Sequence, residues 1–510
     1  MVGFVKRLTQ LALIPVVYAG LNGSWPLPAF AAQSDVLARQ ALEQLPALQA
    51  GVSLDQWRRD HAEDSLTPYH QVLTRTGVDG WCVRSTSETE LAPERRLRRI
   101  AYFFPPSPPE SLTLPGPVDP VRLRGQCRLG FVSLEVAEAD SQRARILGEA
   151  TRRSLSAALG AADSLRSMRF WGAGSWRDRS LWTAGDALVV SAIKQWPRAR
   201  DRDAEQSPAT VFVLGLGTLS GIHFAGFTAG TGGPEQRAAV ARHHGIATRA
   251  VEAIGLAALP GDAADGIRSW LARFGEDPFS PRPWTAEEIG RFTVAAERWL
   301  TLSAALPAPR RAAGLLAADL LLNELERVVT LGDPDRAALR DRFGAHGAAF
   351  NYSPLGQWFV YTRTWLKRAL ELDPEGRAGE LAFLTLMELG FETSGTCKDQ
   401  RRMGFREVVG RGEDWLRARP ASAIEAELRL LVAHAYSDIV TLGSGGGYNG
   451  ADSATFAAEV PRARARAIEQ YRRTIPGIAD SAAAREAWTH AWRLLAALTP
   501  ARTWFYCIYD

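Results

Sequence analysis

Lysine is nearly absent from this chain. Only Lys6, Lys194, Lys367 and Lys398 stand among 60 basic residues, so arginine carries almost all of the positive charge. Arginine, alanine, leucine and glycine are abundant together, the mark of a GC-rich genome. The arginines alternate with acids and leave a formal net charge of only +4. That distribution lacks the basic stripe of a nucleic-acid-binding surface, and no nucleic-acid partner is expected. Cysteine is scarce too. There are four, none in a CxxC spacing, which excludes a zinc ribbon and a thioredoxin-type centre. HExxH and GxSxG are missing, so neither a zincin helix nor a nucleophile elbow is encoded. His243 and His244 are adjacent and point about 100° apart on a helix, which rules out an i, i+4 metal pair, although convergence with His223 or His61-x-Glu63 stays open. After an apolar run, Gly215-x-Gly217 has neither the GxGxxG spacing nor the following acid of a dinucleotide loop. The glycine loop from Ser444 to Gly450 lacks the lysine of a phosphate loop. No catalytic residue, metal ligand or cofactor is expected.

What is present begins with a leader. Lys6 and Arg7 precede an apolar segment from Leu8 to Leu21, and Ala29-Phe30-Ala31 offers small residues at the two positions a signal peptidase reads. Residues 1–32 are therefore expected to be a signal peptide cleaved after Ala31, placing the protein in the bacterial periplasm or outside the cell. The competing reading is a retained anchor, since Leu8 to Ala32 carries no charge and is long enough to span a bilayer. Membrane association is expected only in that case. An oxidising compartment gives the even cysteine count a use. The expected bridges are Cys82–Cys127, clamping the first strands, and Cys397–Cys507, tying the tail back onto the helices. Four free buried thiols are the alternative.

The predicted fold class is an α+β N-terminal domain followed by an all-α region. Residues 33–231 form the first. Ser34 to His61 holds two short helices, with Ser53 and Gln56 in capping-box spacing. Gly80–Arg84, Ile100–Phe104 and Cys127–Val136 read as strands, and Pro105 to Pro120 as a proline-rich loop barred from a helix or sheet centre. A helix over Asp140–Leu159 precedes a meander through Met168–Trp176, Leu181–Ile193 and Ala209–Leu216. From Pro234 the pattern turns helical. Residues 232–352 are a connecting region containing a capping box at Thr285 and Glu288, a short helix at Ile267–Phe274 and a long one from Pro309.

Residues 353–510 read as stacked hairpins. Ser353-Pro354 is placed to start a helix through Trp358, Phe359, Tyr361 and Trp365, paired with a second from Arg377 to Leu389. Phe405–Leu416 and Ile424–Ile439 form the clearest pair, broken at Pro420, with Ser422 and Glu425 in capping-box spacing. Pro461–Ile475 and a helix from Asp480 form the last. The run Trp365-Leu366-Lys367-Arg368-Ala369-Leu370-Glu371-Leu372-Asp373-Pro374 resembles the second helix and turn of a tetratricopeptide repeat. Arg419-Pro420-Ala421-Ser422 with Glu425, Ala426 and Tyr436 resembles repeats of bacterial envelope-assembly proteins. The hairpin starts lie 50 and 57 residues apart against a family period of about 34, with insertions at Glu392–Met403 and Gly443–Glu459. The resemblance implies a tetratricopeptide-like array with an open face for a protein or peptide. Trp358, Tyr361 and Trp365 are the expected partner-binding residues. An exported scaffold or binding protein is thus the leading expectation, with an exported hydrolase sited between the two halves, or an envelope-anchored structural component, as alternatives.

Overall fold

The computed structural model of the chain describes residues 27–68, 81–92, 95–116, 118–138, 141–164, 175–195, 210–218, 234–255, 260–275, 285–328, 334–353, 358–389, 402–446, 454, 456–478 and 481–499. An α+β domain built on an antiparallel sheet comes first, and a helical region follows. The N-terminal helices are α1 (Leu27–Ala50) and α2 (Leu54–Asp60), and the Ser53 side chain caps α2 by accepting from the Gln56 backbone N–H.

Eight strands make one sheet: β1 (Ser65–Pro68), β2 (Val83–Ala92), β3 (Arg95–Phe104), β4 (Arg128–Glu138), β5 (Asp163–Ser164), β6 (Ser175–Ala184), β7 (Ala187–Gln195) and β8 (Thr210–Thr218). Their order is β1-β2-β3-β4-β8-β7-β6-β5, with antiparallel neighbours throughout. Two meanders therefore meet at the β4–β8 seam, where Leu134 lies opposite Leu214. α3 (Pro120–Gly125) lies between β3 and β4, and α4 (Ser141–Leu159) connects the two meanders. Strand alternation turns Val132, Leu134, Val136, Phe212, Leu214 and Leu216 onto the face covered by α1 and α4, whose Leu37, Ala41, Leu48, Ala144 and Leu147 join the same core.

Two strand expectations need correcting. β2 and β3 run well past the predicted Arg84 and Ile100 ends. Glu88 stands opposite Arg98 and Glu90 opposite Arg96, so cross-strand charge pairs continue the ladder where apolar alternation stops. Leu181–Ile193 is two strands, not one. It turns at Gly185-Asp186 between the paired Ala184 and Ala187, with Gly185 at φ +61°, a conformation glycine adopts without strain.

The helical region holds α5 (Pro234–Ile254), α6 (Gly261–Gly275), α7 (Ala286–Ser303), α8 (Ala308–Val328), α9 (Pro334–Gly344), α10 (Thr364–Leu372), α11 (Arg377–Leu389), α12 (Arg402–Ala418), α13 (Glu425–Thr441), α14 (Val460–Thr474) and α15 (Ser481–Leu495). Thr285 and Glu288 form the expected reciprocal capping box on α7. The short helix expected at Ile267–Phe274 is longer, the 15-residue α6. The helix predicted from Ser353 is a hairpin instead: β9 (Phe350–Ser353) pairs with β10 (Trp358–Tyr361), and α10 starts only at Thr364. Ser422 does not cap α13 through a box with Glu425. Its hydroxyl donates to Glu380 of α11 (2.6 Å), and Glu425 accepts from Arg429 (2.9 Å).

Two hydrophobic clusters divide these helices. The second draws on α5 to α11, with Leu416 and the first turns of α13. The first runs from the sheet into the rest of α13, α14 and α15. The proline-rich segment is the strap between them and the sheet. Leu112, Leu114 and Val118 pack on that core, the Trp488 indole donates to the Thr113 carbonyl (3.1 Å), and Arg472 donates to the Pro115 carbonyl (2.9 Å).

Burial pushes the Tyr102 phenol above its ordinary value of 10.0, with Glu135 adding to the rise and Arg84 and Arg98 opposing it. Tyr361 is pushed the same way by burial and then by Asp319. A raised folded value means the stabilisation is complete below the unfolded phenol's titration and is lost as pH climbs through it. Urea midpoints are expected to stay flat from pH 7 to about 9.5 and to fall above about pH 10. A midpoint unchanged at about pH 11 would count against both buried phenols.

Candidate functional site

A groove of about 220 Å³ opens between α12, α13 and α14. On α14, Arg466, Gln470 and Arg473 share one side at i, i+4 and i+7, because Ala463, Ala467, Tyr471 and Thr474 turn the other side into the core. Glu413, Leu416 and Arg417 come from α12 by the same spacing, and Arg429 from α13 closes the groove.

Its centre is Glu413, which accepts from the Tyr436 hydroxyl (2.9 Å) and from Arg466 (2.6 Å). Arg466 also bonds Glu469 (2.6 Å), which pairs with Arg473 (3.0 Å). Arg429 reaches Glu425 (2.9 Å) and the Gln470 side-chain oxygen (3.0 Å), and Arg417 pairs with Asp414 (2.9 Å). Hydrogen bonding with Tyr436 and donation to Glu413 raise the Arg466 guanidinium above its usual range, and burial raises the Tyr436 phenol. Neither group changes charge near neutral pH.

Four guanidiniums thus face four carboxylates: Glu413, Asp414, Glu425 and Glu469. The outer two, Arg417 and Arg473, keep 74% and 58% of their side chains exposed. Exposed ion pairs of this kind are worth about 0–1 kcal/mol, so an incoming carboxylate exchanges with them at little cost. A planar guanidinium fork suits carboxylates and backbone carbonyls. The groove lining is Glu413, Leu416, Gln470 and the four arginines.

Behind the groove, α13, α14 and α15 share a buried polar core. His434 Nδ1 lies 2.8 Å from the Tyr471 hydroxyl, Ser437 lies 3.2 Å from the same oxygen, and the His490 ring meets His434 edge-on at 5.5 Å. His490 reaches Glu486 at 3.5 Å. These histidines pack and bond within the helical stack.

The structure corrects the expected partner face. Tyr361 and Trp365 are 0% and 2% exposed, so they cannot present a surface. The Trp365 indole donates to the His346 carbonyl (3.0 Å), and its backbone N–H donates to the Tyr361 oxygen (2.9 Å). The physical reason is the β9–β10 hairpin, which breaks the helical spacing on which that face was drawn. Trp358 opens β10, and its side chain lies outside the described residues.

Cys82 and Cys127 are both free, buried thiols of the sheet's core. Burial and then the Cys82 neighbour push the Cys127 thiol well above its ordinary 9.0, with Arg493 pulling the other way. Cys397 and Cys507 lie outside the described residues, as does His223. His244 bonds the Leu271 carbonyl (3.2 Å), and His61 stacks on Trp57 at 3.9 Å. Among the described residues no group of three or more His, Cys, Asp or Glu is placed to hold a metal, and no helix is long and apolar enough to cross a membrane.

The groove arginines were not singled out from sequence. Their signal was Arg466, Gln470 and Arg473 on the polar side of one helix, which the overall arginine content obscured. No protein-family model, curated protein or solved structure matches this chain.

Proposed function

We propose that this chain is an exported bacterial scaffold or binding protein, whose α10–α15 hairpins form a tetratricopeptide-like stack that engages an acidic segment of a protein partner. The observation that carries the reading is the groove between α12, α13 and α14, walled by four arginines. Hairpin order supports it, since α10–α11, α12–α13 and α14–α15 each turn back through a short connection and the successive pairs pack on one another. Cleavage after Ala31 would remove the first residues of α1 and leave its buried Ser34 and Leu37 on the mature chain.

The mature chain is to be titrated with fluorescein-labelled decapeptides rich in Glu and with their Lys counterparts. Acidic peptides are expected to bind and to weaken with salt. Arg417→Glu with Arg473→Glu, at exposed positions that do not disturb the fold, is expected to lower affinity at least about tenfold, or about 1.4 kcal/mol. Equal binding of both peptide types, or binding indifferent to the double change, would refute the groove as the site.

A further inference from the structure

Cys82 lies immediately before β2 and Cys127 immediately before β4, the two strands that flank β3. A bond between them would therefore join both neighbours of β3 at the end where the chain leaves for the proline-rich strap. The backbone there is already fixed. Cys82 N–H donates to the Phe103 carbonyl (2.6 Å), Cys127 N–H to the Arg124 carbonyl (3.1 Å), and the Cys127 carbonyl accepts from Leu54 (2.8 Å). Both side chains are fully buried in one and the same core.

The cover over this pair comes from the far end of the chain. Arg493 of α15 is 1% exposed and lies close enough to Cys127 to act on its charge. It donates to the carbonyl of Trp81, the residue before Cys82, at 3.1 Å across a sequence separation of 412. Its other nitrogens donate to the Thr499 carbonyl at 2.8 and 3.2 Å, and Trp488 of the same helix holds the strap at Thr113. No donor of oxidising equivalents can reach a fully buried sulfur in the docked fold.

We propose that Cys82 and Cys127 are an oxidation site that closes to a disulfide before α15 docks, and that Arg493 and the strap then seal it. The step is thiol–disulfide exchange. One cysteine thiolate attacks a small or protein disulfide, forming a mixed disulfide and releasing one thiol. The second cysteine then displaces the remaining thiol, so two protons and two electrons pass from the protein to the donor. The bond makes β2 and β4 a cross-linked frame around β3 before the helical region settles on it. This order follows the chain, because both cysteines precede every helix of the cover.

The test needs no cell and is independent of export. The mature chain is unfolded, fully reduced, and refolded with oxidised glutathione added either at the start or after refolding is complete. Cross-linked peptides are read by mass after alkylation. Early addition is expected to give the Cys82–Cys127 peptide. Late addition is expected to form it at least about tenfold more slowly, and Arg493→Met or Trp488→Phe to restore speed to late addition. Equal rates for early and late addition to the unsubstituted chain would overturn the seal. Early addition that leaves both thiols free, or pairs either with Cys397 or Cys507, would overturn the site.

Discussion

Replacing Arg363 by alanine is expected to destabilise the helical region by about 3–5 kcal/mol, because it strands a buried carboxylate. Asp319 of α8 has a fully buried side chain and faces Arg363 at 3.5 Å. Arg363 also donates to Asn323 (2.5 Å), and its guanidinium lies 5.4 Å from the Tyr361 ring. The residue reaches this position through strain. Its backbone sits at φ 61° and ψ 33°, in the left-handed region, immediately before α10. Glycine and alanine substitutions therefore separate two effects. Both remove the cation, but Arg363→Gly relieves the left-handed backbone and should be less damaging than Arg363→Ala by about 1 kcal/mol. Adding Asp319→Asn to the alanine variant should recover part of the loss, since no buried charge is left alone. Urea unfolding followed by circular dichroism and tryptophan fluorescence reads all three. A loss below about 0.5 kcal/mol for Arg363→Ala would show that the pair does not hold the helices.

Trp57→Ala should cost a similar amount, about 3–5 kcal/mol, through the N-terminal domain. The buried Trp57 side chain joins α2 to the sheet. Its indole N–H is shared between Asp64 (3.2 Å) and Ser85 (3.1 Å), Phe103 meets it edge-on at 5.7 Å, and the Arg99 guanidinium lies 5.2 Å from its ring. Arg99 in turn grips both oxygens of the buried Asp64, at 2.9 and 3.1 Å, and the Ser85 hydroxyl donates to the same carboxylate. Truncation opens a cavity and removes one donor from that carboxylate at once. Trp57→Phe keeps most of the volume and loses only the donor, so it should cost about 1–3 kcal/mol. Comparable losses for the two substitutions would mean that the hydrogen bonds, and not the packing, dominate at this position.

Much of the local structure was legible without coordinates. The caps at Ser53 and Thr285 form as their spacing required, since a side chain and a backbone N–H three residues on are brought together by the first helical turn itself. The α12–α13 pair follows from the apolar spacing on either side of Pro420. β4 and β8 lie at the sheet centre, in keeping with the uncharged, largely apolar run of β8 and the incomplete alternation of β4. The illegible parts share a cause. The charged halves of β2 and β3 are strands only because each supplies the other's counter-charges. The helix expected at Ser353 gave way to a hairpin whose partner strand lies just upstream at Phe350–Ser353. Ser422 had a capping partner in sequence and a better acceptor, Glu380, on another helix.

The candidate site divides the same way. Each groove arginine could be assigned to the polar side of a helix, but only the packing of α12, α13 and α14 makes three polar sides into one concavity. Tyr361 and Trp365 show the converse, aromatic residues that suited a binding face until the hairpin turned them inward. The sequence by itself determined the order of the two regions and the helix periods and caps. Those depend on sterics and bonds within a turn or on the spacing along one strand. The tertiary structure alone decided the strand order, the resting place of the proline-rich strap, the Arg466–Glu413 and Arg429–Gln470 links across the groove and the placing of Arg493 over Trp81. Each of these rests on burial and hydrogen bonds between residues tens to hundreds of positions apart, where no local rule states which surface will be covered by which.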